Sequence, residues 1–333
     1  MKYFRLLLVL CLAVESGYAI AKLADTMDIS RIAKFVFGTW AYGDGSQSLT
    51  ETFCAASSNY NNAYTDPPPV KNPPAVHEPY EFKVADRNTP TGYFLYLDSD
   101  DTNTGNAKLA IQVEHRDTKD GNSWETLSDD VYDSHAHLGQ FTKCKNGNNS
   151  QVRLSITTAE LEQARAGPYG GTFKATGRGG SSGTKEKSQN FLASITIASI
   201  VRINNLSDVS LGTYAGGGDI NVEESFCVYS NNDTASYDIT ITSPNQDVSD
   251  NFFLVNGAAT DSVVYTLYFK DNVTPGVGTQ VTTGAISGTG NNTANDCGGV
   301  DNAKISVNVL DADMSVVPAD SYSDTLTVLI SPQ

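Results

Sequence analysis

Basic side chains are scarce: 22 Lys and Arg stand against 38 Asp and Glu, a formal net charge of −16. A chain with that balance has no source for a basic face to neutralise a phosphate backbone, so nucleic acid is not an expected partner. Beyond the N-terminal stretch no segment approaches the roughly 20 consecutive apolar residues that a bilayer-spanning helix needs. The 28 Gly and 12 Pro fall well below collagen-like or fully disordered compositions. Chemistry is equally thin. Catalytic carboxylates in a recognisable setting and a nucleophile with its base are both missing. Gly177-Arg178-Gly179-Gly180 lacks the helix and lysine of a phosphate loop, and Asp98 to Gly105 has its glycine misplaced for an EF-hand and no closing Glu. The chain reads as non-enzymatic, with no cofactor.

Lys2 and Arg5 precede an apolar run from Leu6 to Val14, and small residues follow at Ala19 and Ala21. This is the pattern of a signal peptide over residues 1–21. Cys11 leaves with it, so Cys54, Cys144, Cys227 and Cys297 remain in a secreted, oxidising setting, where an even count predicts disulfides.

The chain repeats once. Phe37-Gly38-Thr39-Trp40 recurs as Leu211-Gly212-Thr213-Tyr214, and Phe53-Cys54 as Phe226-Cys227. Cys144 is followed after 25 residues by Tyr169 and after 28 by Thr172; Cys297 is followed at the same distances by Tyr322 and Thr325. Tyr80-Glu81-Phe82 answers Tyr237-Asp238-Ile239, and Tyr93-Phe94-Leu95 answers Phe252-Phe253-Leu254. One bridge inside each copy follows: Cys54 with Cys144, and Cys227 with Cys297. Loops of that length are worth about 4 to 5 kcal/mol each in the chain-entropy treatment.

Period-two alternation dominates, as in Leu109, Ile111 and Val113, in Tyr265, Leu267 and Phe269, and in Leu326, Val328 and Ile330. Only Thr158 to Ala166 reads as a helical turn, with Thr158 as its N-cap. The expected fold is all-β: two tandem immunoglobulin-like antiparallel β-sandwiches, with the C-terminal one lacking a strand. The glycine-rich, polar stretch from Gly177 to Ser188 reads as the boundary, a linker or a long hairpin loop: residues 22–180 form the N-terminal domain, 181–190 the linker and 191–333 the C-terminal domain. The alternating run from Phe191 to Ile203 can close the first sandwich, open the second, or do both in succession. The second copy has no such run after Ile330, and little chain lies ahead of Gly38, so the chain is expected to accept a strand and not to give one.

The Asp208-Val209-Ser210-Leu211-Gly212-Thr213-Tyr214 start, the Phe226-Cys227 strand, the Tyr265-Thr266-Leu267-Tyr268 core and the Tyr322-to-Val328 end resemble the spore coat protein U domain of pilins from archaic, Csu-type chaperone-usher pili. The resemblance covers residues 191–333 directly and 22–190 through the repeat. Ile200-Val201-Arg202 stands where many such domains carry a first cysteine. A chain of two such domains resembles the tip adhesins of these pili. The resemblance implies an N-terminal domain that binds a surface or host receptor and a C-terminal pilin domain held by a periplasmic chaperone. At the outer-membrane usher that domain is then completed by the N-terminal donor strand of the adjacent pilin. A structural pilin within the fibre and a secreted carbohydrate-binding protein are the alternatives.

Two loops are candidate adhesive elements. Cys54 to Tyr80 spans 16 more residues than the equivalent Cys227 to Tyr237, and the excess lies in a loop containing Tyr60, Tyr64, Pro67, Pro68, Pro69, Val70, Pro73 and Pro74. Prolines stiffen such a segment, and tyrosines bury area with little loss of rotamer entropy. The second loop carries Trp124, Leu127, Val131 and Tyr132. All four histidines, His77, His115, His135 and His137, lie in the first copy. His135 and His137 would share a strand face, but without a third ligand at hand no metal site is expected.

Overall fold

The computed structural model describes residues 26–59, 76–88, 91–98, 107–121, 123–140, 144, 147–180 and 183–333. In chain order the first half contains β1 (Thr26–Ile29), β2 (Phe35–Trp40), β3 (Gln47–Phe53), β4 (Ala55–Asn59), β5 (Val76–His77), β6 (Glu81–Asp86), β7 (Phe94–Leu97), β8 (Lys108–Ala110), β9 (Gln112–Asp117), β10 (Glu125–Thr126) and β11 (Ser150–Ile156), then the helical turn α1 (Thr158–Gln163), β12 (Gly167–Gly179) and β13 (Lys185–Ile197). The second half contains β14 (Val201–Asn204), β15 (Ile220–Ser230), β16 (Ser236–Thr242), β17 (Phe252–Asn256), β18 (Ser262–Lys270), β19 (Thr279–Gln280), β20 (Ile286–Thr289) and β21 (Ala303–Val309), then α2 (Asp311–Met314), β22 (Tyr322–Ser323) and β23 (Thr327–Pro332).

Alternating burial along β6, β11, β16 and β18 puts every second side chain inside, as the period-two pattern requires. In the first half the sheet β10-β9-β11-β3 faces the sheet built around β12, and Phe53 on β3 meets Phe82 on β6 at 5.2 Å between ring centroids. In the second, the sheet β14-β15-β21-β18-β17-β22 faces β20-β16-β23, with Tyr237 and Phe269 closing the gap. These are two all-β sandwiches with separate apolar cores. Cys54 bonds Cys144 and Cys227 bonds Cys297, one bridge in each half.

The two halves match strand by strand. β11 lies between β3 and β9 as β21 lies between β15 and β18; β6 pairs with β12 as β16 pairs with β23; β1 pairs with β4 as β14 pairs with β15. Strand β13 and its parallel neighbour β2 break the match: residues 211–214, the repeat's equivalent of 37–40, are not a strand. β13 pairs antiparallel with β12 over the full 13 residues and parallel with β2, and it has no counterpart among the described residues of the second half.

This pairing corrects the expected boundaries. Residues 185–190 begin β13 and are not linker, and Phe191, Ala193, Ile195 and Ile197 are buried in the first core rather than opening the second domain. The chain crosses from one core to the other at 198–200, and Val201 starts β14. Ile197 therefore ends one sandwich, and the first strand of the next does not include it. The glycines have a packing role. A Cβ on Gly177 would stand 2.2 Å from Met27 Cε, and one on Gly179 would stand 2.4 Å from Ser57 Oγ, so β12 passes its neighbours only without side chains there. Gly180 and Gly183 adopt positive φ at the hairpin turn, joined by a 2.9 Å backbone hydrogen bond. At α1 the cap is Thr157, one residue before the expected Thr158: its hydroxyl accepts from the Glu160 N–H at 3.3 Å.

Candidate functional site

The missing counterpart of β13 leaves a groove in the second sandwich. The inward residues Phe173 and Ala175 of β12 are fully buried, because β13 covers them. Their equivalents by strand register, Leu326 and Val328, are only half-buried, as is Ile330 beyond them. β23 pairs only with β16, and no strand lies along its other edge among the described residues. Among the described residues, the first core has only Phe37 and Leu49 partly exposed at its margin, whereas the second has Leu206, Val209, Leu211, Leu254, Tyr322, Leu326 and Val328 among others.

Two adjoining cavities run along this edge. One, of about 610 Å³, is lined by Leu206, Leu211, Leu254, Ile305, Leu326 and Val328 among others; the second, of about 540 Å³, continues past Tyr214, Val309, Met314 and Tyr322. Carboxylates pin the rims. Asp324 accepts from the Tyr265 hydroxyl at 2.5 Å and from Ser243 and Asn245, and burial, then this carboxylate, pushes the Tyr265 phenol above its usual range. Asp311 accepts from the Tyr214 hydroxyl at 2.5 Å and from the Gly218 N–H at 3.0 Å, which hold its carboxyl below the usual range. Such a groove suits an extended apolar segment: side chains fill the cavities and main chain pairs with the β23 edge.

The candidate adhesive residues fall in different settings. Tyr60, Tyr64, Pro67, Pro68, Pro69, Val70, Pro73 and Pro74 lie outside the described residues. Leu127 is buried in the first core, its N–H donating to Val113 O at 2.9 Å, so it is not a contact residue. Trp124 is half-buried, stacked between the guanidinium groups of Arg116 at 4.4 Å and Arg153 at 4.3 Å on the β9–β11 face, not under the core. Val131 is exposed. Tyr132 is half-buried under Arg178 at 3.9 Å, and its hydroxyl donates to Glu186 at 2.7 Å.

The histidines contradict the face-sharing argument. His135 is exposed and pairs with Glu125 at 2.6 Å, whereas His137 turns inward, because the chain bends at 134–135 and is not a strand. His137 meets His115 of β9 and Asp133, residues that sequence spacing did not connect. Asp133, four residues before His137, was the one local sign of this cluster. The tertiary pairing supplies the rest. The Asp133 carboxyl lies below its usual range: burial opposes this, and the hydrogen bonds from His115 and His137 outweigh it. Burial holds the His115 ring below its usual range. For His137, burial is outweighed by Asp133 and Asp120, and the ring lies above its range.

No family model and no curated protein matches the sequence. Among solved structures, the chain is similar to the CsuC–CsuE chaperone–tip adhesion subunit pre-assembly complex of Acinetobacter baumannii, at 13% identity over 91% of this chain and 99% of that one, with a TM-score of 0.45. It is also similar to CfaE, the adhesive subunit of CFA/I fimbria of enterotoxigenic Escherichia coli (14% identity, 93% and 94% covered, TM-score 0.38). A third is the CupB6 tip adhesin from Pseudomonas aeruginosa (9%, 92% and 93%, 0.34).

Proposed function

We propose that this chain is a pilus tip adhesin: its second sandwich accepts a donor strand, and its first sandwich binds a surface or host receptor. One observation supports the reading above the others. Phe173 and Ala175 are sealed in the first half by β13, and the same positions in the second half, Leu326 and Val328, lie only half-buried in a groove of matching register. In the periplasm a chaperone strand would fill that groove; at the outer-membrane usher the N-terminal strand of the adjacent pilin would replace it. By analogy with β13, the pilin strand would run antiparallel to β23.

The first half is suited to being the head. It closes its own groove with β13, and its segment Thr26–Ile29 is already paired with β4 and is not free to donate. Val131, Tyr132 and Trp124, with the loop from Tyr60 to Pro74, are the proposed contact residues. The protein would work by binding and assembly rather than by catalysis, at the cell surface.

The test uses the chain's own closing strand. A synthetic peptide of residues 185–197 is titrated into the full secreted chain, and unfolding is followed by calorimetry. A second-sandwich transition that moves up with peptide supports strand acceptance; a transition already high and indifferent to peptide refutes it. Immunogold labelling of purified fibres then places the chain: label confined to fibre ends supports a tip subunit, and label along the shaft refutes it.

A further inference from the structure

His115 and His137 come from parts of the chain 22 residues apart, yet each points a ring nitrogen at a single oxygen of Asp133. His115 Nδ1 lies 3.1 Å and His137 Nε2 2.7 Å from Asp133 Oδ2. The two rings stand perpendicular with centroids 4.6 Å apart, and one ligand atom from each of the three residues lies within 4.8 Å of the others. All three side chains are buried. His115 is 0% exposed, with Phe82 stacked on it at 4.2 Å, and its Nε2 has no hydrogen-bond partner.

The outer contacts are those of a liganding histidine. His137 Nδ1 lies 2.9 Å from Asp120 Oδ2, and the second Asp133 oxygen accepts the Phe82 N–H at 2.8 Å. A cation bound by Nε2 leaves Nδ1–H to donate to Asp120, the carboxylate–histidine–metal arrangement that orients and strengthens imidazole ligands. Tetrahedral bonds of about 2.0–2.1 Å put ligand atoms about 3.3 Å apart, so the two nitrogen–oxygen pairs at 3.1 and 2.7 Å would open slightly around an ion, with the ring nitrogens, within 4.8 Å of each other, settling to the same spacing.

We propose that His115, Asp133 and His137 form a binding site for a divalent first-row transition ion of the zinc type, held by Nδ1, a carboxylate oxygen and Nε2. Two imidazoles and one carboxylate are the donors such an ion takes, and they leave a fourth position for water. The ion would be structural. It would clamp 133–137 to β9, and that segment already pairs with the start of β6 and the residue before it, through Asp133 N–H to Phe82 O at 2.8 Å and His137 N–H to Tyr80 O at 2.7 Å. Val131 and the Tyr132 ring sit just ahead of the clamp, so the ion would also fix a candidate contact surface. Asp120, a quarter exposed, marks the side from which it would enter.

The full chain is stripped with chelator and titrated with zinc by calorimetry and with cobalt by visible absorption. The site predicts one ion per chain, the intense d–d bands of four-coordinate cobalt, and a zinc-dependent rise in the first sandwich's unfolding temperature. His137→Gln abolishes the bands. Asp120→Asn, which leaves all three ligands in place, weakens binding by about 10- to 100-fold. His135→Gln, on the exposed histidine, changes nothing. Absence of cobalt bands together with unfolding indifferent to zinc overturns the proposal in the unmodified chain, whatever the variants do. Loss of binding in His135→Gln overturns it too, by moving the ion to the surface.

Discussion

Replacing Leu326 with Ala separates a strand-accepting groove from an ordinary frayed edge. Leu326 is only half-buried in the free chain, whereas the equivalent Phe173 is 0% exposed under β13. Truncating a fully buried Leu to Ala costs about 2 to 5 kcal/mol. With Leu326 only partly buried, about half of that, roughly 1 to 2.5 kcal/mol, is the expected loss in the free chain. The other half should appear only when a strand covers the site, as a weaker complex. At about 1.4 kcal/mol per tenfold, the affinity for the 185–197 peptide should fall about tenfold. Leu329 is the control: it sits three residues on, 66% exposed on the opposite face of β23, so Leu329→Ala should change stability by less than about 0.5 kcal/mol and leave peptide affinity alone. Fluorescence anisotropy of labelled peptide against the full chain reads both. Equal effects of the two substitutions on affinity, or none from Leu326→Ala, would show that β23 does not receive a strand on that face.

Phe191→Ala removes a ring that stacks on Phe173 and packs at a tilt against Phe35, each at 5.5 Å, and should cost the first sandwich about 3 to 5 kcal/mol in denaturant unfolding while the second is untouched. Equal loss in both transitions would contradict the assignment of β13. Cys227→Ser with Cys297→Ser opens a bridge of sequence separation 70 and should lower the second sandwich's stability by about 4 kcal/mol; a loss under about 1 kcal/mol would refute the entropic account. Trp124→Ala removes two guanidinium contacts at half-exposed sites and should cost about 1 to 2 kcal/mol. Adhesion that survives both this substitution and Tyr132→Ala would exclude that face as the receptor contact. The Asp311 carboxyl, depressed first by the Tyr214 hydroxyl and then by Gly218 N–H, contributes stability that is present above its ordinary pKa of 3.8 and is lost as pH falls through the lower folded value. Carboxyl-carbon NMR should place its midpoint below 3.8 and Tyr214→Phe should raise it; an unchanged midpoint would remove Tyr214 as the rim clamp.

Much of the architecture was legible in the residues. Alternation at Tyr265, Leu267 and Phe269 gave strands because a strand's faces repeat every second residue. The equal offsets from Cys144 and Cys297 gave the repeat and both bridges, because a repeat places equivalent cysteines at equivalent points of one fold. The same alternation could not say which sandwich owned Phe191 to Ile203. A period-two run fits either of two apolar edges, and the choice lay in register with β12, set by contacts far apart in sequence. The glycines at 177 and 179 looked like a linker for a related reason: composition cannot distinguish a residue that is small because it is free from one that is small because Met27 and Ser57 press against it.

The cluster at His115, Asp133 and His137 shows the limit most plainly. The sequence by itself determined two all-β repeats and a disulfide within each, since these depend on local periodicity and spacing. Only the tertiary structure decided that β13 belongs to the first sandwich, that His137 turns from His135 toward His115, and that Leu326 and Val328 line an open groove. Those facts arise where segments remote in the chain are packed face to face, and side-chain direction there is set by the neighbouring strand's hydrogen bonds rather than by the residue's own neighbours in sequence.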